Sequence, residues 1–262
     1  MLVDSHCHLD MIAERDDLSA VVQRARDVNV RTLLTISTKL SNIKTIKGIA
    51  EHYREVWCAV GIHPHEAGNE GQETPDALVA AAQHPKVVAI GESGLDYHYN
   101  FASKETQRQN FRANIRAAQI TGLPLVVHAR QADEEIAEIL RDEVNRGGYF
   151  DCVMHCFSSG RDLAMMALDL GFYISFSGIV TFKKSGDLRD IAKEVPLERM
   201  LVETDAPYLA PQAKRGKPNE PSYVIYTARD LAETLGETPE RLADITTRNF
   251  FDLFKKADHF IS

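Results

Sequence analysis

A chain of 262 residues, 44% hydrophobic and 26% charged, has an ordinary globular composition and enough apolar residues for one large core. Its formal net charge of -8 argues against a protein that coats nucleic acid without regard to sequence, so any polyanionic substrate must be received by a local basic surface. Four cysteines, Cys7, Cys58, Cys152 and Cys156, are too few and too scattered for a disulfide framework and suggest reduced thiols in the cytoplasm; Cys152 and Cys156 lack the second pair that a cysteine metal site would need.

Strand-like sequence begins at Leu2 with no basic or apolar leader ahead of it, so no targeting segment is expected, and no apolar run is long enough to span a bilayer. From there, apolar runs alternate with amphipathic stretches: LVDSH, RTLLTIS, VWCAVGIH, VVAIGES, PLVVHAR, CVMHCF, FYISFSG and MLVETDAP. Between them, segments such as ETQRQNFRANIRAAQ and EEIAEILRDEV space apolar residues by three and four against charged faces, the pattern of helices packed on a sheet. Two further helices are expected from Ser222 to Leu235 and from Pro239 to Phe254. Near-continuous apolar strands covered by helices point to an α/β fold, and eight such units in about 250 residues match a closed (β/α)8 TIM barrel. No linker, low-complexity tract or residue repeat marks a boundary, so residues 1–262 are expected to form a single domain.

Polar residues gather at the C-terminal ends of these runs. His6 and His8 end the first, His63 the third, Glu92 the fourth, His128 the fifth, His155 the sixth and Asp205 the eighth. In a barrel these positions converge on the rim that carries the chemistry. Strand alternation puts His6 and His8 on one side with Cys7 turned away, and Glu203 and Asp205 are likewise two apart. Any one of these histidines is more often hydrogen-bonded or exposed than a ligand. Setting His63 aside, four imidazoles (His6, His8, His128 and His155) and two carboxylates in otherwise apolar strands nevertheless read together as a metal site. Two imidazoles on one strand can reach one ion, and groups from other strands can complete two adjacent sites.

The motifs DSHCHLD, GIHPH, IGESGLDY, HAR, HCF, GFYISFSGIVTF and ETDAPYLAP followed by RGKPNEP run nearly end to end, and with them the chain resembles the TatD family of metal-dependent hydrolases, within the amidohydrolase-like metal barrels. The resemblance implies a first metal site of His6, His8, Glu92 and Asp205, with Glu92 bridging to a second formed with His128 and His155. It also implies hydrolysis of phosphodiester bonds in DNA, in several members as a 3′ to 5′ exonuclease. The chain departs from many relatives at Gln131 and Ala132, at Glu135, and in HCFSSG, none of which is an expected ligand. Two divalent ions are therefore expected, magnesium, manganese or zinc: imidazole suits zinc or manganese better than magnesium, while family members are often described as magnesium-dependent. In this reading Glu92 and Asp205 are the catalytic carboxylates, and Asp205 accepts a proton from the nucleophile.

Basic residues on the same rim supply local positive charge: Arg130, Lys183, Lys184, Lys214, Arg215 and Lys217. Arg130 and Arg215 are the expected phosphate contacts, joined by His63, which can orient a phosphate or donate to a leaving group, whereas His65 reads as capping a turn beyond Pro64. Among Tyr97, Tyr99 and Phe101, some can stack a terminal base, with loop packing expected for at least two. Three readings fit these residues. They are a nuclease acting on the ends of DNA or other nucleic acid, a metal-dependent amidase, lactonase or aminoacyl ester hydrolase, and a non-catalytic metal-binding protein. The basic rim favours the first, with no membrane and no obligatory protein partner inferred.

Overall fold

The computed structural model describes residues 1–70, 75–99 and 101–257, so the last five residues of the expected domain lie outside it. The eight strands are β1 (Leu2–Cys7), β2 (Val30–Ile36), β3 (Val56–Val60), β4 (Val87–Asp96), β5 (Leu125–Arg130), β6 (Cys152–Met154), β7 (Tyr173–Phe176) and β8 (Met200–Val202). They pair in parallel in sequence order, β1 to β8. The ring closes where Cys7 bridges Ala206, where the Asp205 and His8 amides donate to His6 O (2.9 Å) and Ala206 O (2.7 Å), and where Ser5 Oγ donates to Val202 O (2.9 Å). This is the expected (β/α)8 barrel.

Among the described residues the helices are α1 (Leu9–Ala13), α2 (Leu18–Asp27), α3 (Ile43–His52), α4 (Ala67–Glu70), α5 (Pro75–Ala82), α6 (Lys104–Thr121), α7 (Asp133–Gly147), α8 (Arg161–Asp169), α9 (Gly186–Glu194), α10 (Val224–Leu235) and α11 (Pro239–Leu253). Their apolar faces, such as Phe111 and Ile115 on α6 and Ile136 and Leu140 on α7, pack on the outward strand residues Leu33, Cys58 and Val127. None is long and apolar enough to cross a membrane. The alternate residues Val3, Leu34, Ala59, Val126 and Leu201 form a second cluster with Phe250 of α11 and Phe254 just past its end. That helix lies across the N-terminal ends of the strands, where Asn249 Nδ2 donates to Leu197 O and Met200 O and Thr247 Oγ1 to Met1 O. One mouth of the barrel is thereby plugged, and the polar residues sit at the other.

Several strands end earlier than the apolar runs predict. The backbone turns into the left-handed region at Cys156 (φ 43°) and Asp205 (φ 58°), which no strand can accommodate, so β6 and β8 stop at Met154 and Val202. His8, His63, His155 and Asp205 stand just past the ends of their strands. β4 instead runs on to Asp96, because Gly94 (φ 152°) lets it pass β5, where a Cβ would lie 1.9 Å from His128 O.

Candidate metal centre

Glu92, almost fully buried on β4, is the hub. Its Oε2 lies 3.5 Å from His6 Nε2 and 2.7 Å from His155 Nε2, and its Oε1 lies 3.7 Å from His8 Nε2 and 3.9 Å from His63 Nε2. Asp205 Oδ1 stands 3.7 Å from His6 Nε2 and 3.5 Å from His8 Nε2. Most of these gaps exceed a hydrogen bond. Ligand atoms set tetrahedrally around one ion at about 2.1 Å are about 3.4 Å apart, so the gaps match the edges of a coordination shell. Three sets of donors each converge within 4.8 Å: His6, His8 and Asp205; His63, Glu92 and His128; and His6, His155 and Glu203.

The outer ring nitrogens show which atoms are free to ligate. His8 Nδ1 donates to Ile36 O (3.2 Å), His128 Nε2 to Asp96 Oδ2 (3.2 Å) and His155 Nδ1 to Glu203 Oε1 (3.2 Å). Each bond holds a ring proton on the outer nitrogen, so the inner nitrogen is the one that can give a lone pair to a cation once any proton on it leaves, the arrangement typical of metal-binding imidazoles. His6 is fully buried with neither nitrogen hydrogen-bonded, and His155 Nε2 approaches Glu92 without the alignment of a hydrogen bond. Such orphaned nitrogens are costly unless something else binds them, and the donor set fits a divalent cation. His63 differs. Its Nδ1 accepts from the His65 amide (3.1 Å), so Nε2 carries the proton and faces the centre as a donor.

Charge at the centre is balanced by protons. Burial pushes the His6 and His63 imidazoles well below their usual range. Burial also opposes protonation of His155 and His8, but Glu92 and Glu203 outweigh it and hold His155 well above, while Asp205 and Glu92 hold His8 up at about 9. Glu92 stays well below the carboxylate range because His155 and His63 overcome its burial. Glu203 is pushed up by burial.

Two carboxylates escape a motif-by-motif reading. Asp96 holds His65 Nε2 (2.9 Å) as well as His128, and Glu203 accepts from the Cys156 amide (2.8 Å) as well as from His155. Asp96 is four residues from Glu92 on one strand, so alternation alone places both on one face. Asp4 is a third. It accepts from the Thr204 amide (2.8 Å) and hydroxyl (2.6 Å), tying β1 to the segment after β8, and burial pushes its carboxyl up to about 8. Of the expected phosphate contacts, Arg130 lies over the Tyr99 ring (4.9 Å) beside the imidazoles. Arg215 lies over Phe182 (4.4 Å), with no contact to the cluster among the described residues. Cys152 and Cys156 are both free, the latter against Ser177 Oγ (3.1 Å).

A family model described as TatD related DNase matches residues 3–255. The chain belongs to this family. It is 41% identical over 258 residues to the uncharacterized metal-dependent hydrolase YcfH of Escherichia coli, covering 97% of this chain and 95% of that protein. It is 35% identical over 248 residues to a Citrobacter koseri protein named 3'-5' ssDNA/RNA exonuclease TatD, covering 93% and 94%. The crystal structure of YJJV, a TatD homolog from Escherichia coli, superposes with a TM-score of 0.86 at 27% identity over 97% of this chain and 98% of that one. As a TatD-family protein the chain is a metal-dependent hydrolase, and the imidazole cluster is where its donor groups converge.

Proposed function

We propose that this TatD-family hydrolase is a 3′ to 5′ exonuclease that releases nucleotides from single-stranded nucleic acid, DNA above all, with two divalent cations. The observation that carries the reading is the convergence on Glu92 of imidazoles whose outer nitrogens are already held by Ile36 O, Asp96 and Glu203. His6, His8, Glu92 and Asp205 would hold a first cation, and Glu92, His128 and His155 a second; Glu92 Oε1 faces His8 and Oε2 faces His155. Imidazole-rich sites favour manganese or zinc, with magnesium the competitor that needs more oxygen ligands. The donors come from both the first and the last strands, so the proposal treats the whole chain as one catalytic domain, and the free cysteines fit a cytoplasmic setting.

Cations held there would polarise phosphoryl oxygens and make water acidic enough to attack near neutral pH. The chain's own groups do the rest. Asp205, with a side chain 14% exposed against 4% for Glu92, is the carboxylate open to an entering water and takes its proton. His63 presents its Nε2–H to the phosphoryl or leaving oxygen, and Arg130 and Arg215 neutralise the phosphates. Asp96 and Glu203 hold the His128 and His155 rings in the ligating tautomer.

The test is hydrolysis of a labelled single-stranded DNA by metal-stripped protein to which magnesium, manganese or zinc is returned, with Glu92→Ala as control. Mononucleotide release by the wild type alone, dependent on the cation, is expected. Two bound cations per chain with no release under any ion would overturn the nuclease reading in favour of an ester or amide substrate.

A further inference from the structure

The segment between β4 and α6 holds two aromatic rings in water beside the metal centre. Phe101 is 66% exposed and Tyr99 40%, with centroids 5.5 Å apart and planes tilted by 30°. His65 meets both rings, its centroid 5.3 Å from Tyr99 and 4.8 Å from Phe101. His65 is itself fixed by Asp96, and its ring is 4.3 Å from that of His63, which faces Glu92. The exposed pair thus stands two imidazole rings out from the hub.

Tyr97, the third aromatic of this stretch, is already engaged: its hydroxyl bonds Glu135, and the Lys104 ammonium sits 4.2 Å over its face. Above Tyr99 lies the Arg130 guanidinium, which has no ion-pair partner among the described residues. Tyr149, also exposed, bonds Asp151 ahead of β6 and so belongs to the plugged end of the barrel. Although both rings touch His65 and each other, much of their surface stays in water and is open to a ligand. Ring faces beside an unpaired guanidinium are what an unpaired nucleotide calls for, one for the base and the other for its phosphate.

We propose that Tyr99 and Phe101 form a stacking platform for the base of the 3′-terminal nucleotide of a single strand, with Arg130 on the adjoining phosphate. The assignment rests on the nuclease reading and adds what is recognised: an unpaired end of any base identity, because a ring face carries no hydrogen-bond code.

The experiment uses the full chain loaded with its cation and a short single strand carrying 2-aminopurine, whose fluorescence falls on stacking. The 3′-terminal linkage is a hydrolysis-resistant phosphonate. The terminal probe should be quenched and a central probe much less. Tyr99→Ala and Phe101→Ala should each weaken binding about tenfold and relieve the quench, and Phe101→Tyr should preserve both. Equal quenching of terminal and central probes, no quenching of either, or quenching that survives in the double alanine variant would overturn the platform. Hydrolysis of ordinary DNA in parallel separates the two ideas. Cation-dependent turnover with any of those three outcomes removes the platform alone, whereas no turnover on any strand removes the nuclease reading.

Discussion

Replacing Asp96 by Asn exchanges one acceptor oxygen for a donor where four donors converge. Oδ2 accepts from His65 Nε2 (2.9 Å) and His128 Nε2 (3.2 Å), while Oδ1 accepts from the amides of His98 (3.0 Å) and Tyr99 (3.1 Å), all around a fully buried side chain. Burial works against the ionised carboxylate, but His128 and His65 hold it well below the usual range. An amide has one oxygen, so in either orientation its NH2 group faces two N–H donors. Turned toward the loop, it leaves two backbone amides unpaired, and at about 1–3 kcal/mol each the variant loses about 2–6 kcal/mol of stability. Turned toward the imidazoles, it drives His128 to carry its proton on Nδ1, the nitrogen proposed to hold the second cation, and affinity there should fall about 10- to 100-fold.

The two routes are separated by urea unfolding of the metal-free proteins and by cation titration of each. A shift of the urea midpoint at constant slope reports the first, and selective weakening of one of two sites the second. A variant within about 1 kcal/mol of wild type, with both affinities unchanged, would refute the role given to Asp96.

Asp205→Asn, which also neutralises a proposed ligand of the first cation, should weaken that cation and, with cation at saturation, still lower kcat about 10²- to 10⁴-fold; single-turnover kinetics at saturating cation would check it, and retained turnover would remove Asp205 as the base. Gly94→Ala places a Cβ 1.9 Å from His128 O and should lower the melting temperature and cost the second cation, seen as one metal per chain by elemental analysis; two metals would show that β4 and β5 can part without moving His128. Cation binding at pH 7 should release about two protons, from His8 (about 9) and His155 (raised), read from the buffer dependence of the binding heat. The same shifts give the stability trend of the metal-free chain: a folded-state pKa above the unfolded value stabilises fully below about 6.5 and is lost as pH rises through about 9. The melting temperature should fall over that interval, and a rise would contradict the protonated centre.

The cluster of imidazoles and carboxylates was legible because the strand interiors are largely apolar, so His6, Glu92 and His128 stand out toward their ends. The acceptors behind them were less so, each for a physical reason. A glycine does not announce a continuing strand, yet Gly94 is what lets β4 run on past His128 O, carrying Asp96 onto the face of Glu92. Glu203 was visible only as the residue two before Asp205. The left-handed turn at Asp205 sends one carboxylate to His6 and His8 and the other to His155. The Ile36 carbonyl that fixes His8 has no signature at all, since every residue carries the same backbone acceptor. The proton on His63 Nε2 follows from the His65 amide, a fact of loop geometry that the letters GIHPH do not encode.

Each pinned imidazole is held by a different part of the barrel: His8 by the end of β2, His128 by β4, and His155 by the segment leaving β8. The tautomers are therefore consequences of strand register. In β4 and β5, Gly94 pairs with His128 and Asp96 with Arg130, so a slip of one residue would turn His128 away from both Asp96 and Glu92. His6 is the exception, with neither ring nitrogen bonded. What fixes it is backbone, the Asp205 amide on its carbonyl (2.9 Å) and Asp4 below it, together with the stacked ring of His155 at 3.8 Å. The barrel thus positions its ligands from outside and leaves the inner nitrogens to be satisfied by what enters.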